Sequence, residues 1–303
     1  MEEHSGEENG ADVIHLKPEF ADKRVFILDL DGTVYRGKDM IQDVDKTVRK
    51  LMNLNKTVIF LTNNATKTRE NFKKKLENMN IPCMIEQVIS SGFIAAKMLF
   101  EDYDVRTAFI IGTDELVSVM ESVGIQTLNN SVHEKILYAP FLSKDIVCDA
   151  VVCAMDVNLT YAKIRTGMEL VNRGAELFAT NGDKTFPESK QVWPGAGMTV
   201  AAMQACVGRP PKVVFGKPNI FGVELIFREL NRKSESRIEK SDAIVIGDRL
   251  ETDIWQANNA GVDSLFVETG INTRDDIPAN PKSKDERNLI PEHVLPHIKD
   301  IFI

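Results

Sequence analysis

The chain has 303 residues, of which 43% are hydrophobic and 27% charged, a composition typical of a globular protein with one large or two modest domains. This composition excludes a collagen-like, coiled-coil or largely disordered protein, and the formal net charge of −8 argues against a general nucleic-acid-binding protein. The longest apolar runs, such as 58–61 and 243–246, are far too short to span a bilayer, so we expect no membrane partner.

The start of the chain and its cysteines indicate a compartment. Residues 1–12 are acidic and polar, unlike a secretory signal or a transit peptide. The four cysteines are scattered and form no CxxC pair, so neither a zinc site nor a disulfide framework is expected. We therefore expect a reducing, cytoplasmic location.

Short apolar runs alternate along the chain with helix-length polar segments. Most of the runs are continuous rather than alternating and rich in Val, Ile and Phe, which is typical of strands buried on both faces of a parallel sheet. The predicted strands are 25–28, 57–61, 108–111, 150–154, 176–179, 213–215, 243–246 and 264–267, with helix-like segments at 66–78, 113–122, 160–172 and 221–231. This alternation predicts a doubly wound α/β fold.

Four of the predicted strands are followed by side chains that suit a phosphate group or a metal ion. Because ligands of open α/β sheets bind outside the carboxyl ends of the strands, we expect these side chains to converge on one pocket. In chain order they are Asp29 and Asp31, then Thr62, Asn63 and Asn64, then Lys217, then Asp248 with Asp253 further on.

Each of these signals has an ordinary explanation when taken alone. Asp-Gly is a common turn dipeptide, and Thr-Asn-Asn could cap the next helix. A lysine before a proline is most often an exposed turn residue, and carboxylates are favourable at a helix N-terminus. Their joint occurrence at strand ends favours phosphate chemistry.

The residue types are those that phosphoryl transfer requires. Asp29 and Asp31, two apart on an extended strand, would share one side, so one carboxylate can attack phosphorus while the other handles the leaving-group proton. Both repel a phosphate dianion, so we expect Mg²⁺, with Asp248 as a further ligand. Thr62 and neighbouring N–H groups can hold the phosphate oxygens, and Lys217 adds positive charge.

Longer motifs carry a resemblance to a known family. They are LDLDGTVYRG at 28–37, FLTNN at 60–64, ATNGD at 179–183, PGAG at 194–197, FGKPN at 215–219 and GD at 247–248. From about Lys23 onward the chain resembles the haloacid dehalogenase-like (HAD) superfamily of aspartate-nucleophile hydrolases. It is most similar to the NagD-like and p-nitrophenylphosphatase-like branch, which includes phosphoglycolate and pyridoxal phosphate phosphatases.

The resemblance implies a Rossmann-like parallel-sheet core with an inserted α/β cap domain. We place the core at 1–97 and 210–303 and the cap at 98–209. The long separation between Thr62 and Lys217 independently favours an insertion, because simple crossovers are much shorter.

The resemblance also implies a role for each matching residue. Asp29 matches the nucleophile that becomes an aspartyl-phosphate, and Asp31 matches the general acid/base. The implied metal ligands are the carboxylates of Asp29 and Asp248 and the main-chain carbonyl of Asp31, with Asp253 behind them. The implied phosphate contacts are Thr62, Asn63, Asn64 and Lys217.

One cap position departs from the pattern of the pyridoxal phosphate phosphatases. These enzymes place a histidine of a cap loop against the substrate, whereas the corresponding residue here is Phe186, in the predicted cap loop 181–198. We assign Phe186 to substrate binding. The departure argues against a dedicated pyridoxal phosphatase and leaves phosphoglycolate-like or broad substrates open.

The sequence therefore predicts a Mg²⁺-dependent phosphatase of small phosphorylated metabolites, active on p-nitrophenyl phosphate in vitro. A pyridoxal phosphate phosphatase and a phospho-accepting signalling module are the alternatives, although a receiver is shorter and lacks the second aspartate. A homodimer could form through the cap.

Overall fold

Two parallel sheets organise the chain, which the computed structural model describes for residues 14–129, 142–188 (side chains to 186) and 191–303. The first sheet has the strand order β15-β14-β13-β1-β4-β5, and all its pairs are parallel. Its strands are β1 (Val25–Asp29), β4 (Thr57–Thr62), β5 (Val88–Ser90), β13 (Ala243–Gly247), β14 (Asp263–Val267) and β15 (His293–Leu295).

The second sheet lies in the segment between Thr62 and Lys217 and has the order β12-β9-β8-β6-β7, again with parallel pairs. Its strands are β6 (Thr107–Ile111), β7 (Gln126–Thr127), β8 (Ala150–Cys153), β9 (Glu176–Ala179) and β12 (Val213–Val214). Two antiparallel hairpins complete the strands, β2 (Tyr35–Arg36) with β3 (Asp39–Met40) and β10 (Thr185–Glu188) with β11 (Gln191–Pro194).

Helices connect the strands. In the described ranges they are α1 (Pro18–Ala21), α2 (Val44–Asn53), α3 (Arg69–Glu77), α4 (Ser91–Glu101), α5 (Asp114–Ser122), α6 (Tyr161–Asn172), α7 (Ala196–Val207), α8 (Phe221–Lys233), α9 (Trp255–Ala260) and α10 (Lys284–Arg287). Threonine side chains cap two of them, since Thr68 accepts from Asn71 N and Thr160 accepts from Lys163 N. A π-helical turn, Leu250–Ile254, leads into α9.

Strand β1 shows why the predicted runs are continuous. All five of its residues are buried. Phe26 and Leu28 pack with α2 and α3 on one side, whereas Val25 and Ile27 belong to a cluster on the other side. A strand covered on both faces must be apolar at every position, which is the pattern that predicted it.

The predicted α/β fold with a parallel-sheet core is confirmed, and each predicted strand corresponds to an observed one. The strands that the sequence did not predict have two to four residues, too short for a periodic pattern. Among the residues that the structure describes, none of the helices combines the length and the apolar character needed to cross a membrane.

The expected domain limits of 97/98 and 209/210 stay a prediction, and two elements disagree with them. Helix α4, Ser91–Glu101, runs across the first limit. Strand β12 follows the second limit, yet it pairs with β9 and so belongs to the inserted sheet. One hydrophobic cluster also extends from Leu61 of the first sheet to Phe178 of the second, so packing is continuous between the two units.

Candidate active site

The strand ends of the first sheet meet where the sequence predicted. Strands β13, β1 and β4 are neighbours, so Asp248, Asp29 and Thr62 follow or end three adjacent strands. Both Asp29 and Asp248 are buried, as is Thr62. Lys217 enters this group from the segment that follows β12 of the inserted sheet.

Lys217 lies between two carboxylates. Its Nζ donates to Asp29 Oδ1 and, at 2.6 Å, to Asp253 Oδ1, and the side chain is buried. Burial alone would lower the pKa of Lys217, but the charges of Asp253 and Asp29 outweigh it and raise that pKa above its ordinary value. The lysine therefore stays charged in this position.

Three carboxylates share the site with this single ammonium group. One oxygen each of Asp29, Asp248 and Asp253 lie within 4.8 Å of one another. Burial, together with the neighbouring carboxylates, raises the pKa of Asp29 well above its ordinary value and the pKa of Asp248 to about 7. This is an all-oxygen donor set with excess negative charge, which fits a hard divalent cation such as Mg²⁺.

Asp253 belongs to the same cluster of carboxylates. Its carboxylate contacts Lys217 and also accepts a bond from Arg249 N at 3.1 Å. Asp253 is thus held by both a main-chain and a side-chain donor. Both of its oxygens therefore already accept a hydrogen bond.

The main chain approaches the Asp248 carboxylate closely. Ile271 N donates to its Oδ2 at 2.8 Å. Gly32 has φ +104, and a Cβ at Gly32 or at Gly270 would collide with the same carboxylate. Position 32 therefore requires glycine, both because of its positive φ and because a Cβ would collide with Asp248.

Asp31 lies just beyond the end of β1. Strand β1 ends at Asp29, and Asp31 follows a bend, where it forms a bridge with Tyr35 and is half-buried. The assignment of Asp31 as the general acid/base stays a prediction.

The Asn63 side chain has three partners, two of them on Lys217. Its Oδ1 accepts from Lys217 N at 2.7 Å, and its Nδ2 donates to Lys217 O at 3.1 Å and to Asp183 Oδ1 at 3.0 Å. One carboxamide has two N–H donors, so both are used. A phosphate contact by Asn63 would therefore have to come from its main-chain N–H.

Thr62 and Asn64 shape the turn after β4. Thr62 Oγ1 accepts from Asn64 N at 3.1 Å, and Asn64 Oδ1 accepts from Thr66 N at 2.9 Å. The turn lies next to Asp29, because Leu61 is the partner of Asp29 in the sheet register. The Asn64 N–H is already used by Thr62, so the phosphate contacts assigned to Thr62, Asn63 and Asn64 stay a prediction.

Phe186 lies on β10, where its ring packs edge-to-face against Trp193, with 6.0 Å between the ring centroids. Trp193 is 45% exposed, so the hairpin presents aromatic surface. Residues 189 and 190 of the predicted cap loop lie outside the described residues.

Three residues of the site were not assigned from the sequence. Asp183 accepts from Asn63, Asn181 Nδ2 donates to Asn63 O at 2.8 Å, and Ser91 Oγ donates to the same carbonyl. Burial raises the pKa of Asp183, opposed by the charge of Arg249. The only sequence signal was the ATNGD motif, which gave no role to Asp183.

Comparisons with known proteins show which family the chain is similar to. Residues 26–126 match the family model of haloacid dehalogenase-like hydrolases, and residues 214–301 match a HAD-hydrolase-like model. The chain is 30% identical to 4-nitrophenylphosphatase of Schizosaccharomyces pombe, over 86% of this chain and 88% of the relative. It is 28% identical to phosphoglycolate phosphatase 2 of Arabidopsis thaliana, over 95% of each.

A solved structure is also similar. The glycerol phosphate phosphatase of Mycobacterium tuberculosis, in complex with magnesium, superposes with a TM-score of 0.76 at 26% identity, covering 95% of this chain and 78% of that one. The resemblance that the motifs predicted is confirmed by these matches.

Proposed function

This chain belongs to the haloacid dehalogenase-like hydrolases and is a phosphoric monoester hydrolase, and we propose that it hydrolyses small phosphorylated metabolites with Mg²⁺ through an aspartyl-phosphate on Asp29. The observation that carries the proposal is the placement of one buried ammonium, from Lys217, against Asp29 within a cluster of three carboxylates. A nucleophilic carboxylate, a fixed cation and oxygen ligands are the parts that this reaction needs.

The cation site consists of the carboxylates of Asp29, Asp248 and Asp253, with the carbonyl of Asp31 assigned by resemblance. When bound, a divalent cation supplies positive charge that offsets these carboxylates and the phosphate dianion. Lys217 supplies the rest of that charge.

In the first step Asp29 attacks phosphorus. A bond forms between a carboxylate oxygen of Asp29 and phosphorus as the bond from phosphorus to the leaving oxygen breaks. Asp31 gives its proton to that leaving oxygen, and the product alcohol departs. Lys217, Thr62 and the main-chain N–H of Asn63 hold the phosphate oxygens.

In the second step Asp31 acts as a base. It takes a proton from a water molecule that attacks phosphorus, and the bond between phosphorus and Asp29 breaks. Inorganic phosphate leaves and both carboxyl groups return to their starting protonation states. This second step distinguishes an enzyme from a phospho-accepting signalling module.

We propose substrates with small leaving groups, of the size of phosphoglycolate or glycerol phosphate. The support is the similarity to relatives that carry those names and the aromatic pair Phe186 and Trp193 on the hairpin. Phe186 offers no hydrogen bond to a pyridoxal ring, so pyridoxal phosphate is the less favoured substrate. The cytoplasmic location and a homodimer through the inserted unit also remain proposals.

The test is a comparison of three aspartate variants on 4-nitrophenyl phosphate and a panel of phosphomonoesters. Asp29→Asn should abolish turnover and phosphoenzyme, because an amide cannot form the acyl-phosphate. Asp31→Asn should slow turnover about 10²–10⁴-fold. Asp39→Asn, in an exposed position on β3, is the control and should match the wild type.

Metal dependence is tested on the same panel. A chelator should abolish turnover and Mg²⁺ should restore it, whereas the larger Ca²⁺ should restore it poorly. Full turnover in metal-free buffer, or by folded Asp29→Asn, would contradict the proposal.

A further inference from the structure

Asp183 of the inserted unit is linked to the catalytic lysine through a single side chain. The Asn63 carboxamide, which follows β4 of the first sheet, contacts Asp183 on one side and both main-chain groups of Lys217 on the other. The three residues are far apart in the chain, with separations of 120 and 154 positions. The link therefore exists only in the folded protein.

The Asn63 end of this link leaves little freedom to Lys217. Lys217 N donates to Asn63 Oδ1, and Lys217 O accepts from Asn63 Nδ2, so one planar amide fixes the peptide groups on both sides of the lysine Cα. Gly216 packs as tightly, since a Cβ there would lie 2.6 Å from Asn63 Oδ1 and 2.7 Å from Asn181 Cβ. A rotation of the Asn63 amide would therefore move the Lys217 main chain.

The Asp183 end is equally well held. Asp183 N donates to Asn181 Oδ1 at 3.1 Å, and Asp183 O accepts from Gly197 N, in the first turn of α7, at 2.9 Å. A Cβ at Gly195 would collide with Asp183 O, and one at Gly197 would lie 3.0 Å from it. These glycines let the start of α7 close onto the turn that carries Asp183.

Both carboxylate oxygens of Asp183 accept from Asn63 Nδ2, at 3.0 and 3.1 Å. This acceptor orients the amide, because the opposite orientation would turn the Asn63 oxygen toward the carboxylate and its N–H groups toward Lys217 N. Asp183 thus selects the amide orientation that suits Lys217.

We propose that Asp183 is a positioning residue, which, through Asn63, holds the Lys217 main chain so that its ammonium reaches Asp29. The expected effect on kcat rests on the proposed function. The hydrogen-bonded link from Asp183 through Asn63 to Lys217 does not depend on it. Asp183 lies in the inserted unit, so the position of that unit and the position of Lys217 are coupled.

The structural test reads the Lys217 amide in protein without substrate. Labelling glycine at the carbonyl carbon and lysine at the amide nitrogen selects Gly-Lys pairs, of which the sequence has two, Gly37-Lys38 and Gly216-Lys217. Asp183→Ala should shift the Lys217 cross-peak and leave the Lys38 peak, an internal reference, in place. Asp183→Asn, which keeps an acceptor oxygen, should leave both peaks near their wild-type positions.

The kinetic test compares leaving groups. Because Asp183 acts on Lys217 and not on the leaving group, Asp183→Ala should lower kcat by roughly 10- to 100-fold, by a similar factor for 4-nitrophenyl phosphate and glycerol phosphate. Asp183→Asn should retain most of the wild-type kcat. Asp149→Ala is the matched control, since Asp149 precedes β8, at the amino ends of the strands of the same sheet, and accepts from Thr107 N at 2.7 Å.

Three results would overturn the proposal. They are an unshifted Lys217 amide in Asp183→Ala, an equal kinetic loss in Asp149→Ala, or a loss confined to one leaving group, which would make Asp183 a substrate contact. Asp183→Ser, too short to reach Asn63, replaces the alanine variant where that one does not fold. The amide shift reports on the link whether or not the protein is a phosphatase, so the two failures are distinguishable.

Discussion

The ammonium group of Lys217 lies 2.6 Å from Asp253 Oδ1, although Lys217 follows the inserted sheet and Asp253 lies in the π-helical turn after β13. The same ammonium bonds Asp29, so one cation lies between two carboxylates. Both carboxylates are buried. Removal of the lysine should therefore change both the stability of the protein and the chemistry of the site.

Lys217→Met should impair both stability and activity. It leaves buried carboxylates without a counter-charge, which typically destabilises a protein by about 3–5 kcal/mol, and it removes the phosphate donor that we propose, worth about 10²–10³-fold in kcat. Lys217→Arg should keep more of the stability than of the activity, because the planar guanidinium does not fit the place of an ammonium. Urea unfolding and kcat measure the two effects, and a methionine variant with wild-type values of both would refute this role.

Gly32→Ala should damage the cation site specifically. The Cβ would collide with the Asp248 carboxylate, so the Mg²⁺ concentration for half-maximal activity should rise about tenfold or more. Gly37→Ala is the matched control, since Gly37 also has a positive φ, +58, but has nothing within 4 Å of its Cβ position. Both variants bear a conformational cost of about 1–2 kcal/mol. If both variants need the same Mg²⁺ concentration for half-maximal activity, the added Cβ does not disturb the cation site and the prediction is wrong.

The metal-free protein should become less stable as the pH rises from about 4 to about 7. Burial raises the pKa of Asp248 to about 7 and also raises that of Asp29, so in this range the folded state binds more protons than the unfolded state. The free energy of unfolding then falls with rising pH. Bound Mg²⁺ favours the ionised carboxylates, so its stabilising effect should grow over the same range.

Thermal unfolding at pH 5 and pH 7.5, with a chelator or with Mg²⁺, checks this linkage. Asp248→Asn should flatten the metal-free pH dependence, because the amide does not titrate. If the metal-free protein instead gains stability from pH 5 to pH 7.5, and Asp248→Asn removes that gain, the prediction is wrong.

Phe186→His should change selectivity and leave the Mg²⁺ requirement unaltered. A hydrogen-bond donor at this position could contribute about 0.5–1.5 kcal/mol, or about 2- to 13-fold in relative kcat/KM, in favour of pyridoxal phosphate. Phe186→Leu removes the ring that packs on Trp193 without adding a donor, and so separates the two effects. If histidine and leucine scale every substrate alike, Phe186 does not determine selectivity.

Much of the fold and the outline of the site could be predicted from the sequence. Strands covered on both faces are apolar throughout, so β1, β4, β8 and β13 are visible as local runs. Residues that follow strand ends are equally local, which is why Asp29, Thr62, Lys217 and Asp248 could be named as one group. The rule that parallel strands end at one edge brings Asp29, Thr62 and Asp248 together without knowledge of the packing. It does not explain Lys217, which follows a strand of the other sheet.

The tertiary structure alone decided what each side chain contacts. Asp31 leaves the strand because the chain bends after Asp29, and β12 joins the inserted sheet because it pairs with β9. Asn63 carries no sequence signal that its amide is used by Lys217 and Asp183, since hydrogen bonds across 154 and 120 residues depend on how two sheets pack. Local patterns record burial and strand ends, whereas the partners of a buried polar group are fixed by the distant segments that surround it.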